Sequence, residues 1–262
     1  MGVLAGKRGL IMGVANDRSI AWGIAKACAD AGAELAFTYQ GESFGQRLVP
    51  LAQSVGSDLM IDVDVTDDAS LDAAFNVLNE RWGSLDFVVH AIAYSDKAEL
   101  TGRFLDTSRA NFKNCLDISA YSLIEVARRA HPMMVEGGGT ILTLSYLGSM
   151  RVTPNYNVMG VAKAALEATV RYLADDLGPE GIRVNAVSPG PMKTLAASAI
   201  GGVRRTYRHT ESNAPLRSNA TLEAVGGTAL YLCSEAGACT TGEVIHADGG
   251  FHVLGMPQLE NL

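Results

Sequence analysis

The chain has 262 residues, is 48% hydrophobic and 19% charged, and carries a formal charge of −7. This length suits one large α/β domain with a substantial core, and the composition excludes intrinsic disorder. The acidic balance argues against a nucleic-acid or anionic-membrane surface, and no apolar run approaches the ~20 residues that span a bilayer.

The N-terminal stretch lacks a basic region leading into a cleavable apolar segment, and Gly6 stands where a myristoylation signal needs Ser or Thr. The chain therefore reads as cytoplasmic. Cys28, Cys115, Cys233 and Cys239 have neither metal-ligand nor redox-pair spacing, so they read as buried free thiols and no metal is expected.

In chain order, "RGLIMG" (8–13) is a strand that leads into a helix containing "SIAWGIAKACADAG", closed by Gly32. The turn between them, "GVANDRSIAWG", is where a dinucleotide fold binds pyrophosphate. Gly13 permits the tight turn, and Ser19 with the following helix N-terminus offers donors to phosphate oxygens. The spacing is not Gly-x-Gly-x-x-Gly, so its meaning comes from its place at the first strand–helix turn. Strands "ELAFTY" (34–39) and "DLMIDVDV" (58–65) follow, separated by a helix over 42–54. After the first of these, Gln40 can bond adenosine and Glu42 opposes a 2′-phosphate, which favours NADH over NADPH. Asp64, beside Val65 at the end of the next strand, can accept from the adenine amino group or serve as a turn residue.

"TDDASLDAAFNVLNERWG" (66–83) opens with acidic residues and ends at glycine, a helix signal at both ends. "LDFVVHAIA" (85–93) is the fourth strand; its His90 reads as a hydrogen-bonded strand residue rather than an acid or base. Helices are expected over 108–134, 155–177 and 221–234, and strands over 139–146, 183–190 and 242–250. This alternation predicts a single-domain, Rossmann-like, doubly wound fold with a seven-stranded, mostly parallel sheet flanked by helices. Residues 94–108 and 191–219 break the alternation after strand ends, as active-site lids do.

The most informative stretch is "SYLGSMRVTPNYNVMGVAKAAL" (145–166). Tyr146 ends the strand "GTILTLSY". A helix starting near Asn155 would put Tyr156 and Lys163 on one face, close to two turns apart. Either tyrosine alone reads as a partly buried aromatic. Together with the lysine, the two phenols read as a site where a strand end faces a helix. Met159 stands four residues before Lys163, so the Tyr-x-x-x-Lys of ordinary carbonyl reductases is absent.

This pattern resembles the bacterial NADH-dependent enoyl-acyl-carrier-protein reductases of the FabI type, within the short-chain dehydrogenase/reductase superfamily. The likeness runs through "GKRGLIMGVANDRSIAWGIA", "GAELAFTYQ", "LTLSYLGSMRVTPNYNVMGVAKAALEA", "RVNAVSPGPMKTLAAS" and "GEVIHADGGF". It implies reduction of the trans-2 double bond of enoyl thioesters. The catalytic residues would be Tyr156, which stabilises an enolate, Lys163, which holds the nicotinamide ribose, and Tyr146, which lines the substrate pocket with Ser95 and Met159 and assists placement or protonation. It also implies cofactor contacts at Gly13, Ser19, Ile20, Gln40, Asp64, Val65, Ile92, Lys163, Met192, Lys193, Thr194, Leu195 and Ala196. "LAASAIGGVRR" would be a lid over the acyl chain, Arg204 and Arg205 would meet the acidic acyl carrier protein, and the enzyme would be a homotetramer. Ala93 replaces the glycine of well-known members beside the nicotinamide, which speaks against inhibition by diaryl ethers such as triclosan. A carbonyl reductase and a non-catalytic NAD-binding regulator are the competing readings, and the fold alone does not choose among them.

Overall fold

The computed structural model describes residues 2–261. Seven strands, β1 (Arg8–Met12), β2 (Glu34–Tyr39), β3 (Leu59–Asp62), β4 (Phe87–His90), β5 (Gly139–Leu144), β6 (Ile182–Pro189) and β7 (Val244–Ala247), form one sheet in the order 3-2-1-4-5-6-7. Every neighbouring pair is parallel. β4 and most of β5 and β6 are buried on both faces, as expected where helices cover a parallel sheet twice. The expected strands over 58–65, 85–93 and 242–250 are shorter than expected at both ends, pairing only over Leu59–Asp62, Phe87–His90 and Val244–Ala247.

On one face α1 (Ile20–Asp30), α2 (Glu42–Ser54) and α8 (Leu222–Cys233) pack over Ile11, Phe37, Val89 and Leu142. Helices α1 and α8 approach closely at Gly23 and Gly226, where a Cβ on Gly226 would lie 2.7 Å from the Gly23 carbonyl oxygen. On the other face α3 (Asp68–Trp82), α5 (Ser122–Met134) and α6 (Asn157–Leu177) enclose Leu10, Val88, Ile141 and Val184. α3 is bounded as its sequence requires: the Asp67 carboxylate accepts from the Ala69 amide, and Gly83 closes the helix at φ 69°.

Three expectations need correction. The helix predicted over 108–134 is broken into α4 (Arg109–Leu116), a single π turn (Asp117–Tyr121) and α5. In the π turn the Ser119 hydroxyl bonds both the amide and the carbonyl of Tyr94, which ties this helix to the loop after β4. The segment 191–219 is not wholly irregular, since it contains α7 (Val203–Asn213). That helix turns polar Thr210 and Asn213 inward, so it has no apolar stripe to announce it. Of the four thiols, Cys28 and Cys115 are buried, Cys233 is half-buried and Cys239 is exposed. Among the described residues no helix is long and apolar enough to cross a membrane.

Candidate active site

The strand order reverses between β1 and β4, which opens a crevice at their carboxyl ends. Gly13 sits at that point with φ +94°, and a Cβ there would come within 2.1 Å of the Ala91 carbonyl oxygen. Only glycine satisfies both the turn and the close approach. Ser19 caps α1 from a buried position, and its hydroxyl accepts from the amides of Ala15 and Asn16 at 3.0 and 3.1 Å. The serine thus shapes the turn, while phosphate donors would come from the first amides of α1, at Ile20 and Ala21, which have no carbonyl one turn back.

Past β2, Gln40 and Glu42 are exposed at the crevice edge, and the Asp62 carboxylate accepts from the Gly41 amide at 2.9 Å. Asp64 and Val65 lie beyond the last residue of β3, not on it. Both the amide and the hydroxyl of Thr66 donate to the Asp64 carboxylate, at 2.9 and 2.7 Å. These bonds, aided by the Gln40 amide, hold it below the usual carboxylate range. Asp64 is therefore a turn residue whose carboxylate lies within reach of the Gln40 side chain. The surroundings carry acidic groups, and Arg47 of α2 is turned over the Phe44 ring at 5.8 Å.

The catalytic end is built around β5. Tyr146 lies two residues past the strand in extended conformation, φ −159° and ψ 151°, rather than within it. Tyr156 occupies the N-cap of α6, one residue before the helix, not on its face. The two rings nevertheless meet, with centroids 4.9 Å apart and planes tilted by 58°. Lys163 projects from α6 and is 5% exposed; its ammonium donates to the Leu144 carbonyl at 2.7 Å. Burial lowers this lysine to about 8, against the opposing pull of the Cys115 thiol and the Glu167 carboxylate. Burial raises Tyr156 well above the ordinary phenol range, and Tyr146 more modestly. Both phenols are protonated donors at neutral pH. His90 is fully buried between Thr143 and Ser122, at 3.1 and 2.8 Å, and burial lowers it to about 3. It stays neutral at working pH and is a structural strand residue, as the sequence indicates.

Tyr156 and Met159 form a small apolar cluster with Leu100, Cys115, Val158 and Ala162, against which Tyr146 and Ile200 pack. Ser95 pairs with the Asn111 amide at 3.2 Å, at the cluster's edge. Ile92 is half-buried and Ala93 exposed just beyond β4. Past β6, Met192 is buried, the Thr194 hydroxyl accepts from the Ala197 amide, and Leu195 and Ala196 are exposed. The Lys193 ammonium lies 4.5 Å from the Tyr207 ring centroid, tying this loop to α7. Arg204 and Arg205 are exposed on α7 and, among the described residues, pair with no carboxylate. Sequence reasoning read Cys115 only as a buried thiol and missed its place in this cluster, where the thiol is 3.4 Å from the Met159 sulfur. It also missed Asn155 and Asn157, although asparagines on both sides of Tyr156 are a turn signal.

A switch-point crevice with two paired tyrosines and a buried lysine around the end of β5 is the build of a short-chain reductase that works with a dinucleotide. More narrowly, the chain belongs to the enoyl-(acyl carrier protein) reductase family, whose model matches residues 13–252. It is 59% identical over 259 residues to enoyl-[acyl-carrier-protein] reductase [NADH] 1 of Rhizobium meliloti (strain 1021), covering 99% of this chain and 95% of the relative. Its fold matches the enoyl-acyl-carrier-protein reductase of Anaplasma phagocytophilum, solved in complex with NAD. That match has a TM-score of 0.94 and 53% identity, over 99% of this chain and 96% of that one. A Bacillus cereus enoyl-acyl carrier protein reductase solved with NADP+ matches at TM-score 0.95 and 50% identity, over 98% of this chain and all of that one.

Proposed function

We propose that this protein is an NADH-dependent enoyl-[acyl-carrier-protein] reductase that reduces the trans-2 double bond of enoyl thioesters in bacterial fatty-acid elongation. The observation that carries the reading is the Tyr146–Tyr156 pair, with ring centroids 4.9 Å apart, together with the buried Lys163, whose ammonium donates to the Leu144 carbonyl two residues before Tyr146. An ordinary Tyr-x-x-x-Lys reductase would instead place the lysine one helical turn from its phenol.

The crevice fits the dinucleotide, because Gly13 lets the first strand–helix turn pack tightly on Ala91 at the switch point and leaves the first amides of α1 free for the pyrophosphate. When bound, NADH supplies a hydride to the β-carbon of the enoyl thioester. Negative charge then develops on the thioester oxygen, where a preorganised donor is most effective. Tyr156, protonated and held by its apolar cluster, donates to that oxygen. Lys163 is fixed by the Leu144 carbonyl and holds the ribose while placing positive charge near the phenol. Tyr146 orients the acyl group with Ser95 and Met159. Gly13, Ser19, Ile20, Gln40, Asp64, Val65 and Ile92 line the adenosine-to-nicotinamide path, and Met192 to Ala196 cross it. Glu42 and the acidic surroundings of Gln40 support a preference for NADH over NADPH.

Residues 191–219 serve as the substrate lid of this single domain, and Arg204 and Arg205 meet the acidic acyl carrier protein. The protein works in the cytoplasm as a homotetramer, with the edge strand β7 and α8 at a subunit interface. The extra methyl of Ala93 disfavours diaryl-ether inhibitors. Purified protein with NADH should oxidise it in the presence of crotonyl-CoA. Turnover only with acetoacetyl-CoA would instead identify a carbonyl reductase, and NADH binding without either reaction would identify a regulator.

A further inference from the structure

Two asparagines bracket Tyr156, and both hold backbone angles that residues with side chains seldom adopt: φ is +61° at Asn155 and +39° at Asn157. Asparagine tolerates this region better than most residues, but the conformation persists only where surrounding contacts enforce it. Those contacts are visible. The Asn155 side-chain amide donates to the Gly201 carbonyl at 2.7 Å, and the Asn157 amide donates to the Glu99 carbonyl at 3.0 Å.

The two accepting carbonyls belong to different loops. Glu99 lies in a 3₁₀ turn (Lys97–Leu100) after β4, and Gly201 lies between β6 and α7. The residues next to them, Leu100 and Ile200, pack on the cluster that contains Tyr156 and Met159. At Gly201 all three segments converge, since a Cβ there would be 3.2 Å from Asn155 Nδ2 and 3.4 Å from Thr101 Cγ2. One strained turn therefore carries the phenol at its centre and a hydrogen bond to each roofing loop at its ends.

We infer that Asn155 and Asn157 are positioning residues that latch both roofing loops to the turn carrying Tyr156, so that closing the roof over the acyl group and presenting the phenol are coupled. The inference rests on the proposed reading that these loops cover the substrate. Each latch is a neutral hydrogen bond, so the structure predicts modest, separable effects rather than collapse.

The test uses the full chain saturated with NADH, as wild type, Asn155→Asp and Asn157→Asp. Aspartate keeps the shape and tolerates the positive φ, but its ionised carboxylate has no proton to donate and faces a carbonyl oxygen. Limited trypsin digestion, mapped by mass spectrometry, reads the loops separately. Arg204 and Arg205 report on the loop after β6, whereas Lys97 and Arg103 report on the loop after β4; all four are exposed. Asn155→Asp should speed cleavage at the first pair by about three- to ten-fold and leave the second pair near wild type. Asn157→Asp should do the reverse. Both should raise KM for an enoyl thioester by about the same factor while NADH affinity stays within about two-fold.

Unchanged cleavage in both variants, an equal response of both loops to either variant, or loop-specific cleavage with KM unchanged would each overturn the latch. If an aspartate variant fails to fold, Asn155→Gly or Asn157→Gly removes the donor at a backbone conformation glycine accepts freely. Digestion requires no turnover, so an inactive wild-type protein with the predicted cleavage pattern would count against the functional reading and support the latch.

Discussion

Replacing Tyr156 by phenylalanine removes one oxygen from the pocket. Its neighbours are the side chains of Leu100, Cys115, Val158, Met159, Ala162 and Tyr146, and among the described residues the hydroxyl bonds none of them, so its loss orphans no buried partner. The ring keeps its place against Tyr146, Met159 and Leu100. The stability cost should therefore stay below about 1 kcal/mol, the size of a typical net hydrogen bond. The catalytic cost is a different quantity. If the phenol donates to the developing enolate oxygen, its removal should lower kcat by about 10²–10³, the usual penalty for losing one oxyanion donor. NADH affinity should stay within about two-fold of wild type, because the phenol acts on the thioester and not on the adenosine or pyrophosphate. Steady-state kinetics with crotonyl-CoA, NADH titration by fluorescence and thermal melting separate the three effects. A kcat within about three-fold of wild type, or a loss of NADH binding equal to the loss of rate, would refute the assigned role.

Lys163→Ala should weaken NADH binding strongly, the converse of Tyr156→Phe, and the same titration checks it. Burial lowers Lys163 to about 8, so its folded pKa lies below the unfolded one. The buried ammonium thus costs stability below pH 8, and that cost is relieved as pH rises through 8 toward the unfolded value. Deprotonation also removes the charge proposed for the ribose; the NADH dissociation constant of wild type should rise above pH about 8, while that of Lys163→Met stays flat. Glu42→Arg should narrow the preference for NADH over NADPH in kcat/KM, and equal use of both by the unaltered protein would contradict the cofactor reading. Light scattering at micromolar concentration should give a tetramer mass; a monomer would remove the interface assigned to α8 and β7.

The parallel sheet was legible because β4, β5 and β6 are buried on both faces and therefore read as unbroken apolar runs bounded by turn residues. The tight turn at Gly13 was legible because a glycine between the first strand and the first helix marks one, and the clash with Ala91 shows why no other residue serves there. The position of Tyr156 was read only approximately. Helical periodicity put it on the face of α6, whereas two positive-φ asparagines hold it in a turn just before the helix. Such backbone angles leave no periodic trace in a sequence. Cys115 was read as a buried thiol, which it is, but its contact with Met159 was not legible, because it spans 44 residues and no local spacing encodes that approach. The helix α7 escaped notice because its inward residues, Thr210 and Asn213, are polar.

The central claim is that a hydride passes from NADH to the β-carbon of an enoyl thioester held under the Tyr156 phenol. It is tested most directly with NADH deuterated at the transferred position of the nicotinamide and a trans-2-enoyl thioester of acyl carrier protein. The product should be the saturated acyl thioester carrying one deuterium at acyl carbon 3, with none at carbon 2. Recovery of unreduced enoyl thioester, or reduction that leaves carbon 3 without deuterium, would contradict the account.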